Sequence, residues 1–436
     1  MPKSGVIMKK TMLLLLAAAL LCSACTATNA GGDVSLRKHT PADLDARIVQ
    51  ADNAFGLKLH RTIAEQNPGS NVFVSPFSVS MALSMVYHGA GGATREQIGK
   101  TLQGQGLSVD EWNRGHQVLR DLLEHSGKET QLSIANSIWA RKGVPFHESF
   151  LQRNRDFYGA ETDTLDFAQD SAVRKINQWV GKRTNGKIDS IVQGPISSET
   201  VMYLLNAVYF KARWQHPFPE QDTKPGTFRT GSGQTKLVNL MKLTRQFDYV
   251  QEPDYQAVRL PYADGKLAMV VVLPYEKAGL DQVQQKLWAD EAFWNKPFPS
   301  ANGTLKLPRL KLELGYELNG TLKAMGMPAA FDPAKADFSE LSSKPVLISE
   351  VKHKTFVEMN EQGTEAAAVT SVRAEAGSAI TPVAKPFEMI VDRPFLMAIQ
   401  STETGSLLFL GSIVDPKEYA AVCQYRSGMQ LFGSLI

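Results

Sequence analysis

EQGTEAAAVTSVRAEAG, residues Glu361 to Gly377, is the stretch on which the reading of this chain turns. It lies in a run of about 26 residues without core-like patterning, between a strand expected to end near Asn360 and further strands from Phe387. Connections of that length inside a compact body are usually functional or unstructured. Propensity alone favours a helix start at its alanines. Taken instead as an extended segment, its side chains alternate between two faces. Thr364, Ala366, Ala368, Thr370, Val372, Ala374 and Ala376 form one face, all small or β-branched and none charged. Every charge from Thr364 to Gly377, on Glu365, Arg373 and Glu375, falls on the other face. The run stops before Pro382, which lacks the N–H that a central strand needs. The segment therefore reads as a latent strand, able to slide between two existing strands with one face buried. The plainer alternative is an exposed alanine-rich linker or helix.

Working outward, strands surround it. Met202 to Lys211 is a continuous apolar run, hence a buried central strand. Val351 to Met359 and Leu305 to Leu314 alternate and predict strands. Gln256 to Tyr262 and Lys266 to Pro274 predict a hairpin joined at Asp264-Gly265. Phe387 to Val391, Phe395 to Gln400 and Leu407 to Ile413 predict the last strands. Earlier in the chain, Asn71 to Val74 and Leu132 to Ala140 predict strands. Helices are expected from about Leu44, from Ser75-Pro76 through about Tyr87, over Ala172 to Thr184 and over Leu318 to Met325. No repeat or long linker divides the chain, so one interleaved α+β body is expected.

The composition is that of an ordinary globular protein, 43% hydrophobic and 21% charged, which argues against disorder or a fibrous repeat. Residues 1–24 read as a signal peptide: Lys9-Lys10, a short apolar run, then Ser23-Ala24-Cys25. That ending resembles a bacterial lipobox, with Cys22 where leucine is usual; the alternative is cleavage at a nearby alanine without lipid. Residues 25–43 would then be lipid anchor and flexible tether, placing the protein on a bacterial envelope, or otherwise in the extracellular space. Loss of the leader removes Lys3, Lys9 and Lys10 and no acid, so Lys+Arg falls from 47 to 44 against 44 Asp+Glu. The neutral body gives no reason to expect a nucleic-acid partner, and its only link to a membrane would be the N-terminal lipid. Of three cysteines only Cys423 remains in the body, so no internal disulfide is expected.

Val357 to Thr370, VEMNEQGTEAAAVT, closely resembles the proximal hinge of the reactive-centre loop of serpins. Seven further stretches resemble the same family in its order. They are Asn71–Ala90, Ile176–Ile188, Leu204–Trp214, Val258–Pro274, Leu307–Met327, Asp392–Ile399 and Gly411–Pro416. The resemblance implies the serpin fold, with three β-sheets, about eight or nine helices and an exposed loop over about 361–386 within a single domain of residues 44–416. It implies an irreversible suicide-substrate inhibitor of serine peptidases, and of some cysteine peptidases, that traps the acyl-enzyme by inserting its cut loop into the main sheet. The hinge residues are then Glu361, Gly363, Thr364, Glu365, Ala366, Ala367 and Ala368. A family count places the scissile bond between Gly377 and Ser378, with Ala376 and Ile380 as alternatives. A small residue there favours elastase- or subtilisin-like targets over trypsin-like ones; Arg373 would suit the latter but lies four residues upstream. Ser75, Ser78, Asn206 and His353 match the family's shutter, and Trp214, Arg309 and Glu361 its breach. Individually, these residues also suit bland roles: a helix cap, a strand amide, a core histidine, a packed tryptophan and a solvated charge.

No enzyme is expected, since G-x-S-x-G, H-E-x-x-H and G-x-x-x-x-G-K-[ST] are all missing. Neither a cofactor nor a metal is implied, and the protein is expected to act as a monomer. The competing reading is a non-inhibitory serpin acting as chaperone, carrier or storage protein. Such members carry bulky or charged hinge residues, unlike Thr364, Ala366 and Ala368 here. Residues 417–436 extend beyond the resemblance, with no role assigned.

Overall fold

The computed structural model describes residues 37–364 and 385–417. Its main sheet has six strands, in the order Leu310–Glu317, Glu350–Asn360, Gly363–Thr364, Met202–Arg213, Thr130–Arg141 and Glu161–Leu165. Met202–Arg213 is buried along nearly its whole length, as its apolar run requires. Helix Asp170–Arg183 covers one face: Ile176 packs with Trp139 and Tyr203, and Val180 with Ala207 and Phe356. Helix Pro76–Tyr87 lies beneath the other face and is buried from Pro76 to Val86. Ser75 caps it, its side chain accepting from the Ser78 N–H at 3.4 Å, with Pro76 at the first helical position. A strand sheet between two helical layers is thus built around the place where the hinge arrives.

The other sheet has nine strands. Val72–Val74, Leu407–Ile413, Phe395–Ser401, Leu267–Pro274, Tyr255–Pro261, Thr235–Gln251, Ser300–Pro308 and Phe387–Ile390 follow one another, and Lys224–Arg229 joins at Thr235–Gln251. This network merges two of the three expected sheets, because Thr235–Gln251 runs for 17 residues and changes neighbours along its length. Eight α-helices occur among the described residues.

The structure corrects three expectations. Leu305 to Leu314 is not one strand but the end of Ser300–Pro308 and the start of Leu310–Glu317, which belong to different sheets. Pro308 has no N–H to continue the ladder, and Arg309 donates its own to Asn239 O before the chain crosses over. The tether expected to reach residue 43 stops earlier. Lys38 and His39 both donate backbone N–H groups to Asp121 Oδ2 at 2.8 Å, and Pro41–Asp43 is a 3-10 turn. Finally, Thr235–Gln251 had no expected counterpart, because its apolar residues keep neither helical nor strict strand spacing. The lipidation candidate Cys25, hinge residues Glu365 to Ala368 and the Gly377–Ser378 bond lie outside the described residues.

Candidate functional site

The hinge already sits in the sheet. Thr364 and Gly363 pair antiparallel with Met359 and Asn360 on one side, and with Ala212 and Arg213 on the other. Below them the same two strands close on each other, Glu350–Phe356 pairing parallel with Tyr203–Tyr209. The sheet is therefore parted at one end and shut beneath. Only glycine suits position 363: its φ is +156°, and an added Cβ would lie 2.1 Å from Ala212 O. Thr364 is fully buried, and its hydroxyl lies 2.8 Å from that of Tyr262.

Four groups hold this first turn of the loop. Trp214 donates its backbone N–H to Gln362 O at 2.9 Å and its indole N–H to Asn360 O at 3.0 Å. Phe218 donates its N–H to Glu361 O at 2.8 Å. Arg309 grips the Glu361 carboxylate, with Nη2 at 2.7 Å and Nε at 2.8 Å from Oε1, while Thr223 Oγ1 donates to the same oxygen at 2.6 Å. Glu361 is almost fully buried, so it needs these donors. The Trp214 ring stacks on Tyr262 at 4.7 Å and 10°, tying the gate to the hydroxyl that meets Thr364. All three expected breach residues converge here. Tyr262, Thr223 and Phe218 join them without any sequence signal, since they lie far from the hinge in the chain and meet it only on folding.

The four expected shutter residues also meet, in the closed part of the sheet. Asn206 and His353 are register partners across the parallel pair, and His353 Nδ1 lies 2.5 Å from Asn206 Oδ1. Ser75 N–H donates to His353 Nε2 at 3.1 Å, so Nε2 carries no proton and Nδ1 donates. Burial holds this imidazole neutral and pushes its pKa down to about 3. The Asn206 amide donates to Ser78 Oγ at 2.5 Å and to Asn136 Oδ1 at 2.6 Å. Ser75 Oγ donates to Leu408 O at 2.6 Å, linking the cluster to the second sheet. Asn136 was missed, although an amide inside the apolar run Leu132 to Ala140 was a legible anomaly. No group of three or more His, Cys, Asp or Glu among the described residues is placed to hold a metal ion.

A glycine-led hinge thus enters a strand gate at one end of a parallel pair, with a polar lock beneath it. The family profile described as Serpin (serine protease inhibitor) matches residues 50–416. The chain belongs to the serpin family. Leukocyte elastase inhibitor A of Rattus norvegicus is 35% identical over 384 residues, covering 85% of this chain and 100% of its own. The leukocyte elastase inhibitor of Homo sapiens is 35% identical over 386 residues, with the same coverage. Among solved structures, the thermophilic serpin Tengpin in its native state superposes with a TM-score of 0.77 at 32% identity, covering 85% of this chain and 95% of its own. The serpin profile begins at residue 50, so the leader and Cys25 lie outside that match.

Proposed function

We propose that this serpin is an irreversible suicide-substrate inhibitor of serine peptidases, with cysteine peptidases as a secondary class. The peptidase nucleophile attacks the carbonyl of Gly377, expels the Ser378 amine and holds the loop as an ester. Insertion of the cut loop then carries the acylated enzyme away from the gate before water attacks. Distortion of the enzyme's oxyanion hole and triad stops deacylation. The serpin contributes no catalytic residue.

The partial pairing of Gly363–Thr364 supports this reading most directly. Carried forward, the register of Thr364 with Met359 and Ala212 aligns Ala366 with Val357 and Phe210, and Ala368 with Thr355 and Val208. Those partners are buried, and the matching hinge residues are small. On the charged face, Glu365 aligns with the partly buried Glu358 and Lys211, and Arg373 with the partly buried Glu350 and the buried Tyr203. Thr370 reaches the level of His353 and Asn206, so insertion must break their hydrogen bond. One parallel ladder is exchanged for two antiparallel ones, which pair more backbone groups.

The small residue before the proposed cut favours an elastase- or subtilisin-like target, and the elastase inhibitors among the relatives support that class. Export with lipid attachment at Cys25, on a bacterial envelope, rests on the sequence of the leader and the residues just after it. The test is incubation with pancreatic elastase or subtilisin, followed by denaturing electrophoresis and mass spectrometry. A complex stable to SDS, with release of a peptide beginning at Ser378, is expected. Turnover without complex would refute inhibition, and a complex formed through cleavage after Arg373 would refute the assigned bond.

A further inference from the structure

Strand Thr235–Gln251 has a notch in its hydrogen bonding. One edge pairs with Ser300–Pro308 from Leu240 to Asp248. On the other edge, pairing with Lys224–Arg229 ends at Leu240 and pairing with Tyr255–Pro261 starts at Asp248. Tyr249 N–H donates to Pro299 O, so the two-residue alternation turns the backbone groups of Lys242, Thr244 and Gln246 toward the notch. Among the described residues, no strand covers them.

A cavity of about 250 Å³ lies at this place. Trp214, Phe218 and Leu243 give it an apolar wall, and Arg245 and Arg259 line it against one carboxylate, Asp248. Arg259 is fixed: its guanidinium lies 4.6 Å from the Phe298 ring centre, and Nη2 donates to Trp294 O and Lys296 O at 3.2 Å. Arg245 Nε donates to Gln246 O at 2.9 Å, and by the same alternation the Gln246 N–H faces the notch. Aromatic walls, two guanidinium groups and an inward N–H suit one ligand chemistry. We propose that this cavity binds a small aromatic anion, a carboxylate or sulfonate. Because Trp214 and Phe218 also hold the carbonyls of Gln362 and Glu361, an occupant braces the gate and slows loop insertion.

The probe is 8-anilino-1-naphthalenesulfonate, titrated by fluorescence into the full chain. One saturable site is expected. Arg245→Glu should weaken it about tenfold or more, and the uncharged N-phenyl-1-naphthylamine should bind weaker by a similar factor. Leu243→Trp and Ser300→Phe, two independent fillings of the cavity, should each abolish binding in protein whose far-UV circular dichroism and urea midpoint are unchanged. Non-saturable binding, equal affinity for the uncharged analogue, or full binding by a folded filling variant would overturn the proposal. At saturation the probe should slow stable-complex formation with elastase severalfold, and an unchanged rate would overturn the bracing. That last arm alone rests on the inhibitory reading. A chain that binds the probe but traps no peptidase therefore fails that reading and leaves the site standing.

Discussion

Replacing Thr364 by arginine tests the proposed mechanism at its first step. The side chain at 364 is fully buried between Met359 and Ala212, and its hydroxyl meets Tyr262 at 2.8 Å. In the resting protein the hinge can withdraw, so Thr364→Arg costs little more than that hydrogen bond, about 1 kcal/mol. During insertion, withdrawal is no longer open, and a cation must pass into the closed sheet. An uncompensated buried charge costs about 3–5 kcal/mol, and the long arginine stem reaching toward the sheet end favours the lower figure. At about 3 kcal/mol insertion slows roughly a hundredfold, since each 1.4 kcal/mol is a factor of ten. If the parent chain inserts about ten times faster than the ester hydrolyses, the variant inserts about ten times slower than hydrolysis. The number of inhibitor molecules consumed per enzyme trapped should then rise from near one to about ten. Titration of elastase or subtilisin activity, with electrophoresis of the products, reads this number. Thr364→Ser, which keeps the hydroxyl, should behave as the parent. An unchanged ratio and full complex formation by Thr364→Arg would refute insertion as the trapping step.

Gly363→Ala should expel the hinge from the sheet, because its Cβ meets Ala212 O at 2.1 Å; faster proteolysis between Glu361 and Thr364 reads this, and unchanged protection would refute the clash. Arg309→Ala leaves the nearly buried Glu361 carboxylate with fewer donors and should cost about 2–4 kcal/mol, less the share Thr223 still satisfies. The urea midpoint should fall accordingly, and a shift below about 0.5 kcal/mol would count against a structural gate pair. Burial depresses His353 and His60 to about 3 and His88 to about 4, below an unfolded value near 6.5. The unfolded chain thus binds more protons: the stability is complete above about pH 6.5 and is lost as pH falls toward 4, at up to about 1.4 kcal/mol per pH unit for each histidine. A urea midpoint that stays flat between pH 6.5 and 4.5 would refute the neutral, buried assignment.

Much of the site was legible because it is local. The parity of Thr364 to Ala376, the glycine before it and the apolar run at Met202 each carry their meaning within a dozen residues. Shutter and breach residues were reachable only through family resemblance, since Ser75, Asn206 and His353 each have an unremarkable local reading. Tyr262, Thr223 and Phe218 stayed hidden because they sit in connections that only the folded chain brings to the hinge.

A small-residued segment with one uncharged face, lying between apolar strands, is written in the residue order, because alternation is a property of the extended backbone alone. Where that face goes depends on the folded chain. The gap between Met359 and Ala212, the Arg309 grip on the buried Glu361 carboxylate and the notch beside Trp214 arise when distant strands are brought into register. Register is set by which faces the whole core buries, and no local stretch contains that information.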